Sequence, residues 1–229
     1  MSVKITASVG KGGTNNSVDV LAIQLLLNKW IEPKIAVTGT CTGKDDDATV
    51  IAIKKFQGYF MKNPDGLVGK DGTTLRKLNM EPFILLPQVS GYGYYSYGKG
   101  NWNERQWGTK DTVDALLEIT RNFRWNNPDT LVAIGDLSFR FGGTMAPHGT
   151  HKDGIHIDLR PCRIDNAMSP VVYTDTVNYD QDKTKALIES FLAHQNVKSI
   201  LFNDPVIYAL DRVSKYSGHD NHFHVTMLK

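Results

Sequence analysis

HGTHKDGIHIDL, residues 148–159, and HFHVTML, residues 222–228, decide the fold. Successive side chains of an extended segment point to opposite faces. Ile155, Ile157 and Leu159 therefore fall on one side of the first stretch and His156 and Asp158 on the other. The second stretch alternates in the same way: His222 and His224 share a face, while Phe223 and Val225 point into the opposite layer. Laid side by side, the two strands would bring His224 within ligand range of Asp158, and the loop ahead of the first would deliver His151. Outward from this pair, LVAIGDL at 131–137 and SILFN at 199–203 predict two more strands. DTVDALLEITRNF from Asp111 and DQDKTKALIESFLAH, from Asp180 or Asp182 to near His194, predict amphipathic helices. Short strands mixed with helices, without strict alternation, give an α+β domain with a central antiparallel sheet over residues 106–229.

The N-terminal third has a different texture. Val18, Leu21, Ile23, Leu25, Leu26 and Trp30 lie near helical spacing behind a candidate N-cap at Ser17. A second helix is predicted after the acidic run at Asp46, with Val50, Ile53, Phe56 and Phe60 along one face, and a short third from Thr73 to Leu78. Together they predict a small three-helix bundle over residues 1–80. Residues 81–105 carry two Pro and a cluster of Tyr without periodicity, which marks a connector. Tyr92, Tyr94, Tyr95 and Tyr97 are expected there as packing residues.

Composition excludes several classes. Net charge is +2, with basic residues dispersed among acidic ones, so a nucleic-acid partner has little support. No apolar run approaches the roughly 20 residues that span a bilayer, so no membrane insertion is expected, and residues 1–13 lack the apolar core of a secretory signal. Cys41 and Cys162 lie far apart and are expected as free thiols.

Six of the seven histidines fall in two groups, His148, His151 and His156, then His219, His222 and His224. Zinc favours imidazole nitrogen and carboxylate oxygen, and a catalytic site uses three protein ligands with a fourth position open. Neither cysteine is placed to close a structural site. Asp136 and Ser138 are candidates for holding a ligand imidazole or the substrate. Arg140, Arg160 and Lys152 lie beside the ligand segments as candidate partners for substrate carboxylates. His194, at a helix C-terminus, is explained by the helix dipole.

Two resemblances sharpen these expectations. Val9-Gly-Lys-Gly-Gly-Thr-Asn15, Asp19-Val-Leu-Ala-Ile-Gln24-Leu-Leu-Leu-Asn28, Phe56-Gln57 and Asp65-Gly-Leu-Val-Gly69 resemble the peptidoglycan-binding domain family, a three-helix module. His151 and Asp158, then His222-Phe-His224, resemble the metallopeptidases grouped with lysostaphin-type and D-alanyl-D-alanine enzymes. Gly135-Asp136-Leu-Ser138, Gly142-Gly143, His148-Gly-Thr-His151, Asp158-Leu-Arg-Pro161 and His219-Asp-Asn-His222-Phe-His224 more closely resemble the penicillin-insensitive murein endopeptidase family. That resemblance implies one zinc ion on His151, Asp158 and His224, with His222 as general base and His219 and His148 as hydrogen-bond partners of the reacting centre. His156 departs from the family, where an acidic residue is expected.

The implied activity is hydrolysis of the D-alanyl to meso-diaminopimelyl crosslinks of peptidoglycan by a zinc peptidase. A D-alanyl carboxypeptidase or dipeptidase is the alternative, as is a non-catalytic wall-binding protein with a structural metal. Lacking a signal peptide, the protein is expected to be made in the cytoplasm and to reach the wall as a phage lysin or as an injected antibacterial effector, the latter with a cognate immunity protein.

Overall fold

A computed structural model of the chain describes residues 2–88, 92–97 and 102–228. It divides into two compact units, Met1–Pro82 and Phe83–Lys229.

The first unit contains β1 (Val9–Gly10), α1 (Ser17–Leu27), α2 (Ala48–Gln57), β2 (Leu67–Val68) and α3 (Thr73–Leu78). The three helices fall where periodicity put them, but β1 and β2 form an antiparallel ladder that the sequence did not announce. Asp47 caps α2, its carboxylate accepting from the backbone N–H groups of Thr49 and Val50. Asn16, not Ser17, occupies the N-cap position of α1, without a side-chain cap bond.

The buried face of α1 also differs from the expected one. Val20, Ile23, Leu26 and Leu27 are buried, whereas Val18 is 78% exposed and Leu25 60%. Two polar side chains set this rotation. Asp19 accepts from the Thr6 and Ala7 backbone N–H groups, and the Gln24 amide bonds Thr38, Gly39, Thr40 and Thr49. Buried polar groups need partners, and only this rotation gives Asp19 and Gln24 theirs.

The second unit continues with β3 (Ile84–Leu85), β4 (Tyr94–Ser96), α4 (Trp102–Arg105), β5 (Trp107–Gly108), α5 (Lys110–Asn126), β6 (Val132–Ile134), β7 (His156–Leu159), α6 (Gln181–Leu192), β8 (Val197–Leu201), β9 (Val213–Ser214) and β10 (Phe223–Met227). Its main sheet has six strands in the order β4-β6-β7-β10-β8-β9. The inner four pair antiparallel, but β4 joins β6 and β9 joins β8 in parallel, so the sheet is mixed and not purely antiparallel. The stretch expected as a connector supplies β3, β4 and α4; residues 89–91 and 98–101 of it lie outside the described ones.

Thr109 and Asp180 cap α5 and α6 through side-chain oxygens. One face of the sheet carries Ile157, Leu159, Phe223 and Val225, which join Leu116 and Phe123 of α5 and Leu187 and Phe191 of α6 in one core. Phe223 lies edge-on to both Phe191 and Phe202. Strand alternation then sends His156, Asp158, His224 and Thr226 to the other face. The register sets His224 opposite Asp158 and Thr226 opposite His156. Among the described residues no helix is long and apolar enough to cross a membrane.

Candidate metal centre

Asp158 is the hub of the polar face. Its side chain is almost wholly buried, and three imidazoles approach it: His224 Nδ1 lies 2.8 Å and His151 Nε2 3.2 Å from Oδ1, and His148 Nδ1 lies 3.5 Å from Oδ2. Burial alone would raise the pKa of this carboxyl, but hydrogen bonding and charge from His151 and His224 outweigh it and hold it far below the usual carboxylate range. The group stays ionised.

What the imidazoles do with their other nitrogen decides the character of the site. His151 Nδ1 lies 2.6 Å from the Leu137 carbonyl oxygen. A carbonyl only accepts, so Nδ1 carries a proton and Nε2 is the nitrogen turned toward Asp158. His148 Nε2 lies 3.0 Å from Asp136 Oδ2, another acceptor, and its Nδ1 is the nitrogen facing Asp158. Each nitrogen that faces Asp158 needs a cation between it and the carboxylate, either a proton or a metal ion. Anchoring the remote N–H on an oxygen is also the usual support of a metal-bound histidine. His148, His151 and Asp158 thus form a group that could hold a metal ion, and His224 reaches the same carboxylate oxygen.

The supports come from neighbouring segments. Asp136 Oδ2 also accepts from Arg105 Nη2 at 2.7 Å, within a mostly buried pair. The loop that carries His151 is closed by Gly143 N–H donating to the Lys152 carbonyl at 2.9 Å. Gly142 has a φ of +63°, and a Cβ there would lie 2.1 Å from the same carbonyl oxygen, so no larger residue fits. His151 itself has a φ of 62°, uncommon for a non-glycine residue and costing of order 1–3 kcal/mol. The loop holds a strained residue at the buried centre of the group.

His148 and Asp158 open onto a cleft of about 390 Å³, also lined by Tyr97, Asp136, Arg160, Asn221 and His222. His222 Nδ1 donates to Asn221 Oδ1 at 2.9 Å, which leaves Nε2 as its basic nitrogen. Burial lowers its pKa, with Asp158 opposing. Arg160 lies over the Tyr97 ring, 3.7 Å from its centroid, and donates to the Met168 carbonyl. Burial raises the pKa of the Tyr97 hydroxyl, and the nearby Asp158 adds to the effect. A Cβ on Gly135 would lie 2.7 Å from that hydroxyl, so the close approach of Tyr97 requires glycine.

Not every expected residue arrives here. Arg140 stacks on Trp107 and Phe141, and Ser138 is buried with its hydroxyl on the Phe139 carbonyl; neither lines the cleft. His219 stands behind His222, ring centroids 4.7 Å apart, its Nδ1 within 3.2 Å of the Tyr216 and Ser217 carbonyls. His148, expected as a hydrogen-bond partner of the reacting centre, lies with His151 and Asp158 in the group that could hold a metal ion. Tyr97 and Arg105 were not foreseen as site residues. Arg105 stands in an aperiodic stretch with no motif, and the aromatic cluster around Tyr97 was the one available signal. Scanned against protein-family models and against curated proteins, the chain matches neither a family nor a relative.

Proposed function

We propose that the second unit is a zinc-dependent peptidase that hydrolyses D-alanyl to meso-diaminopimelyl crosslinks of bacterial peptidoglycan, and that the first unit binds the same wall. The observation that carries the reading is the convergence of three imidazoles on the buried carboxylate of Asp158 at the floor of an open cleft. The spacing of these residues, which resembles the murein endopeptidase family, supplies the substrate class. The donor set of imidazoles and carboxylate suits zinc.

His151, Asp158 and His224 would hold the ion. When bound, zinc supplies a Lewis acid that polarises a carbonyl and brings the pKa of water from 15.7 toward about 7. His222 takes a proton from the attacking water at Nε2 and returns it to the leaving amine. His148, fixed through Asp136 and Arg105, stands at the cleft side. Arg160, stacked on Tyr97, offers a cation to a peptide carboxylate. A wall-binding first unit would raise the local concentration of the peptidase on an insoluble substrate.

The test is digestion of purified sacculi followed by mass spectrometry of the products. Crosslinked dimers should fall to monomers, the cleavage should stop on chelation, and zinc should restore it. Full activity after exhaustive metal removal refutes the reading. A second reading, a wall-binding protein with a structural metal, is favoured by His148 alone, because its Nδ1 could make a fourth protein ligand. X-ray absorption of the zinc protein separates the two: four protein ligands support the structural role, and a water in the shell supports the peptidase.

A further inference from the structure

His222 stands just ahead of β10, at the end of a loop with no regular structure of its own. Residues 216–221 are mostly exposed, Tyr216 at 61%, so burial does little to hold this loop in place. Hydrogen bonds do so instead. Among the described residues four of them fasten 216–221 to the rest of the unit, and Asn203 makes three. Its backbone N–H donates to the His219 carbonyl at 3.1 Å, its Nδ2 donates to Asp220 Oδ1 at 2.7 Å, and its Oδ1 accepts from the Tyr216 N–H at 3.0 Å. The fourth runs from the Tyr173 N–H to the Asp220 carbonyl.

Asn203 is itself firmly seated. It is 5% exposed, and its neighbours are held more deeply still: Phe202 belongs to the core, and the buried Asp204 accepts from the Tyr179 hydroxyl at 2.6 Å, from Gln181 Nε2 and from the Val206 N–H. A backbone N–H only donates and a carboxylate only accepts, so one orientation of the Asn203 amide satisfies both side-chain partners. The clamped loop leads directly to the cleft. His219, whose carbonyl Asn203 holds, has its ring centroid 4.7 Å from that of His222. Asn221, next to the clamped Asp220, bonds His222 Nδ1 at 2.9 Å, and both residues line the cleft.

We propose that Asn203 is a positioning residue, which by clamping Tyr216, His219 and Asp220 fixes where His222 stands in the cleft. The inference deepens the reading of His222 as the general base and rests on it. Asn203 does not itself line the cleft, so its loss acts on the placement of His222 and not on the binding of substrate. Displacing a reacting group by about 1 Å is enough to cost about 100-fold in rate.

The full chain is assayed in three ways: steady-state cleavage of muropeptide dimers, zinc affinity by competition with a chromophoric chelator, and backbone ¹⁵N relaxation of residues 216–222. Asn203→Ala should lower kcat about 10- to 100-fold, leave KM and zinc affinity near the wild-type values, and loosen 216–222 on the ps–ns timescale. Asn203→Asp sets two carboxylates against each other and should do the same. Adding Asp220→Asn to it exchanges donor and acceptor, restores the bond, and should recover most of kcat. Asp220→Ala, at an exposed position, cuts one bond of the clamp; it carries the test if the Asn203 variants do not fold, and should lower kcat in the same direction. An Asn203→Ala protein with wild-type kcat, or with a loop as ordered as the wild type's, overturns the inference. So does a loss of zinc affinity that matches the loss of kcat, which would place the effect at the metal centre. A wild-type protein that cleaves no muropeptide, while the loop still loosens in Asn203→Ala, overturns the peptidase reading and leaves the clamp on His222 standing.

Discussion

Replacing Asp158 by Asn isolates the charge at the centre of the site. The two side chains have nearly the same shape, so the strand and the core beneath it should survive. The folded state favours the ionised carboxyl of Asp158, so the metal-free variant should melt below the metal-free wild type at neutral pH. Zinc separates the two proteins. A ligand present at about 1,000 times its Kd stabilises the native state by about 4.1 kcal/mol. For a domain of about 150 residues or more each kcal/mol moves Tm by roughly 2–4 °C, so zinc should raise the melting of the wild-type second unit by about 8–16 °C. The variant, with a neutral amide in place of the anion, should lose most of that rise. Calorimetry of chelator-stripped protein, with and without added zinc, reads both numbers. An undiminished zinc shift in the variant would mean that the ion binds elsewhere, and the proposed centre would fall with it.

Two other variants probe separate parts of the molecule. His222→Ala should keep its zinc, measured by elemental analysis, while turnover of muropeptide dimers drops by about 10²- to 10⁴-fold, the usual worth of a general base; loss of zinc with activity would make His222 a ligand instead. Asp47→Ala should destabilise the first unit by about 1 kcal/mol at neutral pH. Burial of Asp47 opposes ionisation, but hydrogen bonds from Thr42 and Thr49 outweigh it and lower the folded pKa. The stabilisation is thus complete above the unfolded carboxyl value of about 3.9 and fades as pH falls through the lower folded value. Paired melts of variant and wild type should converge in acid, and a gap that widens there contradicts the sign.

The parts of the fold legible in the sequence are those governed by short periods. Alternation in GIHIDL and HFHVTML fixes which side chains share a face, and one register places His224 across from Asp158. α5 and α6 carry their apolar stripes and their caps in the sequence. The face of α1 is not legible, because Leu25, Leu26 and Leu27 put apolar residues on most sides of the helix, and the choice falls to Asp19 and Gln24 through partners remote in sequence. β4 and β9 are short edge strands added in parallel; two or three residues carry no period, and their pairing depends on the chain's return path. Arg105 and Tyr97 become site residues only once β4 has joined the sheet and β6 has led into Asp136 and Leu137. The direction in which His148 points is equally hidden, since it depends on an Asp136 that is itself held by Arg105.

The three imidazoles around Asp158 are not equivalent, and the difference bears on whether the centre is open or closed. His151 and His224 are fully buried and share Oδ1, whereas His148 is partly exposed, meets Oδ2 and makes the longest approach of the three. Its anchor is also distinct. Arg105 neutralises Asp136 and fixes it independently of any ion, so His148 keeps its orientation whether or not a metal engages its Nδ1. His148 and Asp158 line the same cleft as Tyr97, Arg160 and His222, whereas His151 and His224 do not. In the proposed peptidase the open position of the ion would lie on that side, where a peptide carbonyl entering the cleft would meet the cation of Arg160 and the basic nitrogen of His222.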